Sequence, residues 1–369
     1  MKVPLSSPDI TEKEIQAVVS VLQTPNLSLG PKLSEFEKNF AKYIGVKHAV
    51  AVNSGTSGLH LCIRALDVKD GDEVITTPFS FIASSNCILF ERAKPVFVDI
   101  REDTLNIDED RIEEKITSKT KAILAVDVFG YPCDMPKITK IARKHGLKVI
   151  EDACEAIGAE INGKKSGSFG DCAVFAFYPN KQMTTGEGGM LVTNDDKIAS
   201  LARSMRNQGR DEGMKWLAHD RLGYNYRLSD INCALGIEQL KRIDEILKKR
   251  EKVAGIYAYK FLDFAEIVLP PAGTRDIRRS WFVYVVRLKG GPRDQVIERL
   301  KEKGVGCNSY FPPIHLQPFY QREFGFKAGD FPVTEKIAQQ TIALPFYSNL
   351  DREKIGYVAD NLKQIIRGL

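Results

Sequence analysis

Phe175 to Thr193 reads FAFYPNKQMTTGEGGMLVT, and the fold turns on how this stretch is understood. The runs AVFAF and GMLVT have the length and apolar content of buried strands. Between them stands one lysine, Lys181, followed by Thr184, Thr185, Gly186, Gly188 and Gly189. A surface lysine has no need of two threonines and three glycines around it. A lysine that must move in a cleared space does.

Upstream, the chain alternates in the same rhythm. HAVAV (48–52) predicts a strand and TSGLHLCIRAL (56–66) a helix; DEVITT (72–77) a strand and ASSNCILFERA (83–93) a helix. KPVFVDI is read as a strand, DEDRIEEKI as a helix, KAILAVDVFG as a strand, MPKITKIARKHG as a helix ending on Gly146, and KVIED as a strand. Strands alternating with helices imply parallel crossovers and an open sheet covered on both faces. Downstream, residues 228–262 predict one long helix with Ser229 and Asp230 as candidate N-caps. After LPPAGT (269–274), SWFVYVVRLKG predicts a strand, and PRDQVIERLKEKG and TEKIAQQTIAL two helices. The expectation is an α/β fold with a large domain over 1–245 and a smaller C-terminal α+β domain over 246–369.

The 369 residues, 43% hydrophobic and 27% charged, describe a globular chain with room for two domains. No apolar run approaches the ~18 residues of a membrane span, so no membrane association is expected. The N-terminus lacks the apolar core of a signal peptide. Seven cysteines lie scattered, with no CxxC pair, which argues against a metal centre or a disulfide framework and for the cytoplasm. The net charge of +5 is mixed along the chain, and the densest run, KKREK from Lys248 to Lys252, suits a solvated helix face better than a nucleic-acid patch.

Open α/β sheets bind ligands beyond the carboxyl ends of their strands. HAVAV runs into NSGTSG (53–58), where glycines and a helix N-terminus suit a phosphate, or simply an N-capped turn. KVIED ends in Glu151 and Asp152, acids that suit a cap or a buried cation. DEVITTP leads to Phe79 and Phe81, aromatic residues for the core or for a ligand's face. Taken together, a phosphate nest, an acid, an aromatic ring and a lysine at strand ends match the needs of pyridoxal 5'-phosphate. Its aldehyde requires an amine, its ring nitrogen a carboxylate, and its phosphate N–H donors.

The chain resembles the DegT/StrS family of sugar-nucleotide aminotransferases, which have the type I fold of pyridoxal phosphate enzymes. The resemblance runs nearly end to end, through LSLGPKLSEFEKNFAKYIGVKHAVAVNSGTSGLHL, ITTPFSFIASSNCI, VIEDACEAIGA, FYPNKQMTTGEGG, LGYNYRLSDINCALG and DFPVTEKIAQQTIALPFY. It implies Lys181 as the catalytic lysine that bonds the cofactor, Asp152 as the partner of the ring nitrogen, and Gly55 and Thr56 as phosphate ligands. Phe81 would stack on the ring, and Asn225 would reach the phosphate from the other subunit of an obligate homodimer. Arg227, Tyr310 and His315 would face the substrate; for Arg227 an ion pair and for His315 a structural role stand as alternatives. The sequence departs from the pattern twice. Ala176 replaces a common phosphate-binding serine, leaving that contact to Asn180 or to nothing. Glu155 stands where glutamine or histidine is frequent near the ring hydroxyl, and it resembles the perosamine synthase-like branch.

The implied reaction moves an amino group from glutamate to carbon 4 of a nucleotide-linked 4-keto-6-deoxy sugar. Amination at carbon 3, a cyclitol substrate, or a sugar dehydratase are the alternatives within the fold. The dehydratases carry histidine in place of Lys181. A non-catalytic cofactor-binding regulator is the alternative outside it.

Overall fold

The computed structural model describes residues 1–211, 213, 215 and 218–369. Its strands begin with β1 (His48–Val52), β2 (Glu73–Thr76), β3 (Lys94–Phe97), β4 (Thr120–Val126) and β5 (Lys148–Asp152). A short hairpin of β6 (Glu160–Ile161) and β7 (Lys164–Lys165) follows, then β8 (Cys172–Ala176) and β9 (Gly189–Thr193). The interleaved helices are α1 (Glu12–Leu22), α2 (Pro31–Ile44), α3 (Gly55–Ala65), α4 (Ala83–Leu89), α5 (Met135–His145), α6 (Asp196–Arg206) and α7 (Asp230–Lys241). Seven strands form one sheet in the order β1-β9-β8-β5-β4-β2-β3. Only β9 runs antiparallel to its neighbours β1 and β8. The α/β reading with a mostly parallel sheet therefore holds.

Near-continuous apolar strands follow from burial on both faces. Val50 and Val52 pack with Leu59, Leu124 and Val174 in one core, while Ala49 and Ala51 pack with Phe36, Phe40 and Phe175 in another. Ser229 caps α7, as expected, by accepting from the Asn232 N–H. Asp230 does something else: its carboxylate accepts from Gly30 N–H at 2.8 Å and Lys32 N–H at 2.9 Å, so it caps the N-terminus of α2.

The second half comprises α8 (Ile243–Lys260), β10 (Ile267–Val268), β11 (Ile277–Arg278), β12 (Tyr284–Leu288), α9 (Arg293–Glu302), α10 (Pro318–Phe324), α11 (Pro332–Ala338), β13 (Thr341–Leu344) and α12 (Arg352–Arg367). Its sheet has the order β10-β12-β13. Ile243 and Leu247 of α8 pack on the large core, whereas Val253, Ala254 and Tyr257 pack with β12, β13 and α12. We infer that the division between the two halves runs through this helix. Val3 joins the C-terminal core and bridges Val305.

Three expectations are corrected. DEDRIEEKI forms only two 3-10 turns, Glu109–Arg111 and Glu113–Lys115, because like charges four apart oppose a helix that has few apolar residues to anchor it. The long helix over 228–262 is two helices, broken at Arg242 (φ −104°, ψ 5°), whose guanidinium docks the N-terminal segment through Glu14 at 2.6 Å and Asp9 at 3.2 Å. TEKIAQQTIAL is a helix only to Ala338; Thr341–Leu344, buried throughout, pairs with β12 instead. Short apolar runs carry no periodicity that separates strand from helix.

Candidate active site

Beyond the carboxyl ends of β4, β5 and β8 lies a cavity of about 650 Å³. It is lined by Gly55, Thr56, Phe81, Asp152, Glu155, Asn180, Lys181 and Tyr310, all singled out from the sequence. The approach of α3 to this cavity explains two glycines. A Cβ at Gly189 would lie 2.6 Å from the Ser54 carbonyl oxygen, and one at Gly55 would lie 2.9 Å from the Ala176 methyl. Ser54 caps α3, accepting from the Ser57 N–H at 3.1 Å, and leaves the N-terminal amides of Gly55 and Thr56 at the cavity.

Asp152 closes β5 on the cavity side. Its carboxylate accepts from Ser84 Oγ at 2.7 Å and from the Cys154 N–H at 3.2 Å, and Ser84 is hydrogen-bonded in turn to Ser80 at 2.7 Å. Ser84 was not anticipated from the sequence; its signal was a hydroxyl in the first turn of a helix following a strand end.

The lysine loop is hydrogen-bonded around Thr184 and Thr185 and opens on the cavity at Lys181. Thr184 Oγ1 donates to the Phe177 carbonyl at 2.9 Å, and Asn232 Nδ2 of α7 donates to the Thr185 carbonyl at 2.5 Å. Gly186 takes φ +81°, a backbone region that L side chains rarely enter. Lys181 Nζ lies 3.3 Å from Glu155 Oε1 and 3.9 Å from the ring centroid of Phe282. Glu155 Oε2 accepts from the Phe129 N–H at 2.9 Å. Burial pushes the Glu155 carboxyl above the usual carboxylate range, and the nearby Lys181 opposes that rise.

Asn180 Oδ1 is buried without a partner, and Phe81 is 62% exposed beside the cavity. Asn225 is exposed and Arg227 half-buried, on a segment that bridges β1 and Asn207 and does not line the cavity. Arg227 donates to Asn207 Oδ1 at 3.1 Å. His315 is not brought to the cavity, which favours the structural alternative. It is fully buried, bonded to Glu335 at 3.0 Å and packed edge-on against Phe331, away from the cavity residues. Phe326 and Phe331, which pack against it, belong with Phe97 and Tyr320 to one aromatic cluster.

An amine, a carboxylate, helix N–H donors and an exposed aromatic around one cavity fit pyridoxal phosphate. Residues 8–363 match the model of the DegT/DnrJ/EryC1/StrS aminotransferase family. GDP-perosamine synthase of Caulobacter vibrioides is 40% identical over 99% of this chain and 98% of its own. PseC of Helicobacter pylori, an aminotransferase involved in the biosynthesis of pseudoaminic acid, superposes with a TM-score of 0.95 at 30% identity, covering 100% of both chains. Spr1654 of Streptococcus pneumoniae, described as a sugar aminotransferase and solved in its PLP form, gives a TM-score of 0.95 at 28% identity over 100% of this chain and 99% of that one. Fold and site define a pyridoxal phosphate-dependent sugar aminotransferase with the type I fold. The chain belongs to the DegT/DnrJ/EryC1/StrS family. Among the described residues no helix is long and apolar enough to cross a membrane, and no group of histidine, cysteine or acidic side chains could hold a metal ion.

Proposed function

We propose that this enzyme transfers the amino group of glutamate to carbon 4 of a nucleotide-linked 4-keto-6-deoxyhexose, as a cytoplasmic homodimer. The observation that carries the reading is the convergence of Lys181, Asp152 and the N-terminus of α3 on one cavity. Kinship with GDP-perosamine synthase and the presence of Glu155 support the choice of sugar and carbon. The dehydratase alternative is disfavoured by Lys181. Seven free thiols suit a reducing compartment.

Pyridoxal phosphate, when bound, supplies a conjugated ring that accepts the electron pair left as a proton leaves carbon. In this reading the N–H groups of Gly55 and Thr56 hold the phosphate, and Asn180 assists where Ala176 offers no hydroxyl. Asp152, oriented by Ser84 and the Cys154 N–H, keeps a proton on the ring nitrogen. Glu155 serves the ring hydroxyl, and Phe81 covers the ring. Lys181 would hold the cofactor at rest through its carbonyl carbon. Once displaced, its amine would carry a proton from the α-carbon of the amino acid to the cofactor's carbonyl carbon, and in the second half from that carbon to carbon 4 of the sugar. Tyr310 meets the sugar nucleotide, while Asn225 completes the phosphate site of the neighbouring subunit and Arg227, beside it, meets the substrate there.

The test is a panel of GDP-, UDP- and dTDP-linked 4-keto-6-deoxyhexoses and their 3-keto isomers, incubated with glutamate and resolved by mass spectrometry and NMR. Amination at carbon 4 of at least one member is expected. Turnover confined to the 3-keto isomers would overturn the choice of carbon.

A further inference from the structure

Lys181 is in contact with one side chain that no motif pointed to. Phe282 places its ring centroid 3.9 Å from Nζ, and it sits in a segment, Arg279–Phe282, whose main chain two buried arginines tie down. Arg250 of α8 is buried, and it donates from Nε to the Trp281 carbonyl at 2.7 Å and from Nη2 to the Phe282 carbonyl at 2.6 Å. Arg279, also buried, donates to the Pro271 carbonyl at 2.7 Å and the Phe129 carbonyl at 3.0 Å, with its guanidinium 4.1 Å from the Trp281 ring centroid. Both guanidiniums bond main-chain carbonyls here, an expensive use of a buried charge that fixes the backbone from both sides.

The segment is tied to the lysine loop as well. Ser280 Oγ donates to the Ile157 carbonyl at 2.6 Å and accepts from Gln182 Nε2 at 2.9 Å, and Gln182 also donates to the Glu155 carbonyl at 2.6 Å. The Ser280 carbonyl oxygen lies so near Gly130 that a Cβ there would fall 1.7 Å from it. Successive side chains then part company. Trp281 packs against Tyr284 and Phe346 of the C-terminal core, while Phe282 joins the large core and lines the cavity. Glu155 is fixed from the same side, since Phe129 donates its N–H to Glu155 and accepts from Arg279.

We propose that Phe282 is a positioning residue for Lys181: its ring face and the Glu155 carboxylate form a berth for the free amine, and Arg250 and Arg279 hold that berth in place through the main chain. The inference rests on the reading of Lys181 as the lysine that bonds the cofactor. A ring face attracts a cation at this distance, and the Glu155 carboxylate draws the amine to the same spot. The berth therefore stabilises the unbonded lysine and keeps it beside the cavity while the amino donor occupies the cofactor.

The sign of the expected effect follows. Pyridoxamine phosphate has no carbonyl for Lys181, so the lysine stays free when it binds. Removing the ring destabilises the free amine and leaves the bonded one untouched. In Phe282→Leu, affinity for pyridoxal phosphate relative to pyridoxamine phosphate should rise ~2- to 30-fold, the range of one cation–ring contact. Phe282→Tyr, which keeps the ring, should restore the ratio. Each apoenzyme is titrated with both cofactors by absorbance and fluorescence, with melting curves recorded alongside; Phe282→Met replaces the leucine variant should that fail to fold. General damage to the site would weaken both cofactors in parallel, and that result, or an unchanged ratio, overturns the berth. Borohydride reduction of the wild-type holoenzyme followed by peptide mapping separates the two readings. A tag on Lys181 with an unchanged ratio removes Phe282 alone, whereas a tag elsewhere removes the lysine assignment beneath it.

Discussion

Two carboxylates stand side by side at the end of β5 and face opposite sides of the sheet. Asp152 faces the cavity, where its partners are Ser84 and a single N–H, and where space remains beside it. Glu151 faces away and is fully buried. Its oxygens accept three main-chain N–H groups, from Gly167 at 2.7 Å, Phe169 at 2.5 Å and Gly170 at 2.6 Å. Strand alternation alone gives neighbours opposite surroundings. What differs is who satisfies them: the far carboxylate is used up by the protein's own backbone, and the near one is left with capacity for a ligand. Charge at a strand end therefore says little about function until its hydrogen bonds have been followed.

Substitutions should divide along the same line. The largest effect belongs to the near face. Asp152→Asn keeps the shape but cannot hold a proton on the ring nitrogen by charge, so kcat should fall by ~10³-fold, as when a preorganised electrostatic partner is removed. Its melting temperature should stay close to wild type. Loss of folding with normal turnover per folded molecule would make Asp152 a second Glu151. On the far face, Glu151→Ala strands three buried donors and should destabilise by roughly 3 kcal/mol or more. Chemical denaturation measures that loss, and turnover per folded molecule should be near normal. A variant as stable as wild type but inactive would erase the distinction between the faces.

Much of this was legible in the sequence. The strand–helix rhythm, the cleared loop around Lys181, the glycine turn before α3 and the acid closing β5 follow from local patterns that physics ties to backbone and ligand needs. What was not legible depends on chain segments distant in sequence. His315 resembles a ligand residue in its motif, yet it is fully buried, with the rings of Phe326 and Phe331 packed against it. Asp230 reads as a cap for its own helix but serves one that starts 199 residues earlier, at Pro31. Arg250 lies within the charged run KKREK, which suits a solvated face. Its actual partners are carbonyls of residues 281 and 282. No periodicity announces such contacts.

The far face carries one more acid that sharpens the comparison. Asp127 follows β4, is buried, and accepts from the Cys133 N–H at 2.9 Å through Oδ1 while Oδ2 has no partner. Burial pushes its carboxyl up to about 8, and the neighbouring Glu151 adds to the rise. A carboxyl that holds its proton in the folded chain but loses it in the unfolded one near pH 4 binds more protons when folded throughout that interval. Stability must then fall as pH climbs from about 4 toward 8, and it is this group's contribution that is lost. Asp127→Asn puts an uncharged group of the same size there. The variant should match wild type near pH 4 and exceed it by several kcal/mol near pH 8, since each unit by which the folded carboxyl is raised is worth about 1.4 kcal/mol. Denaturation midpoints across that range measure the difference, and activity should follow wild type because Asp127 does not line the cavity. If the variant loses turnover at every pH while its stability curve stays parallel to wild type, then the far face reaches the chemistry, and the division at β5 is one of distance rather than of role.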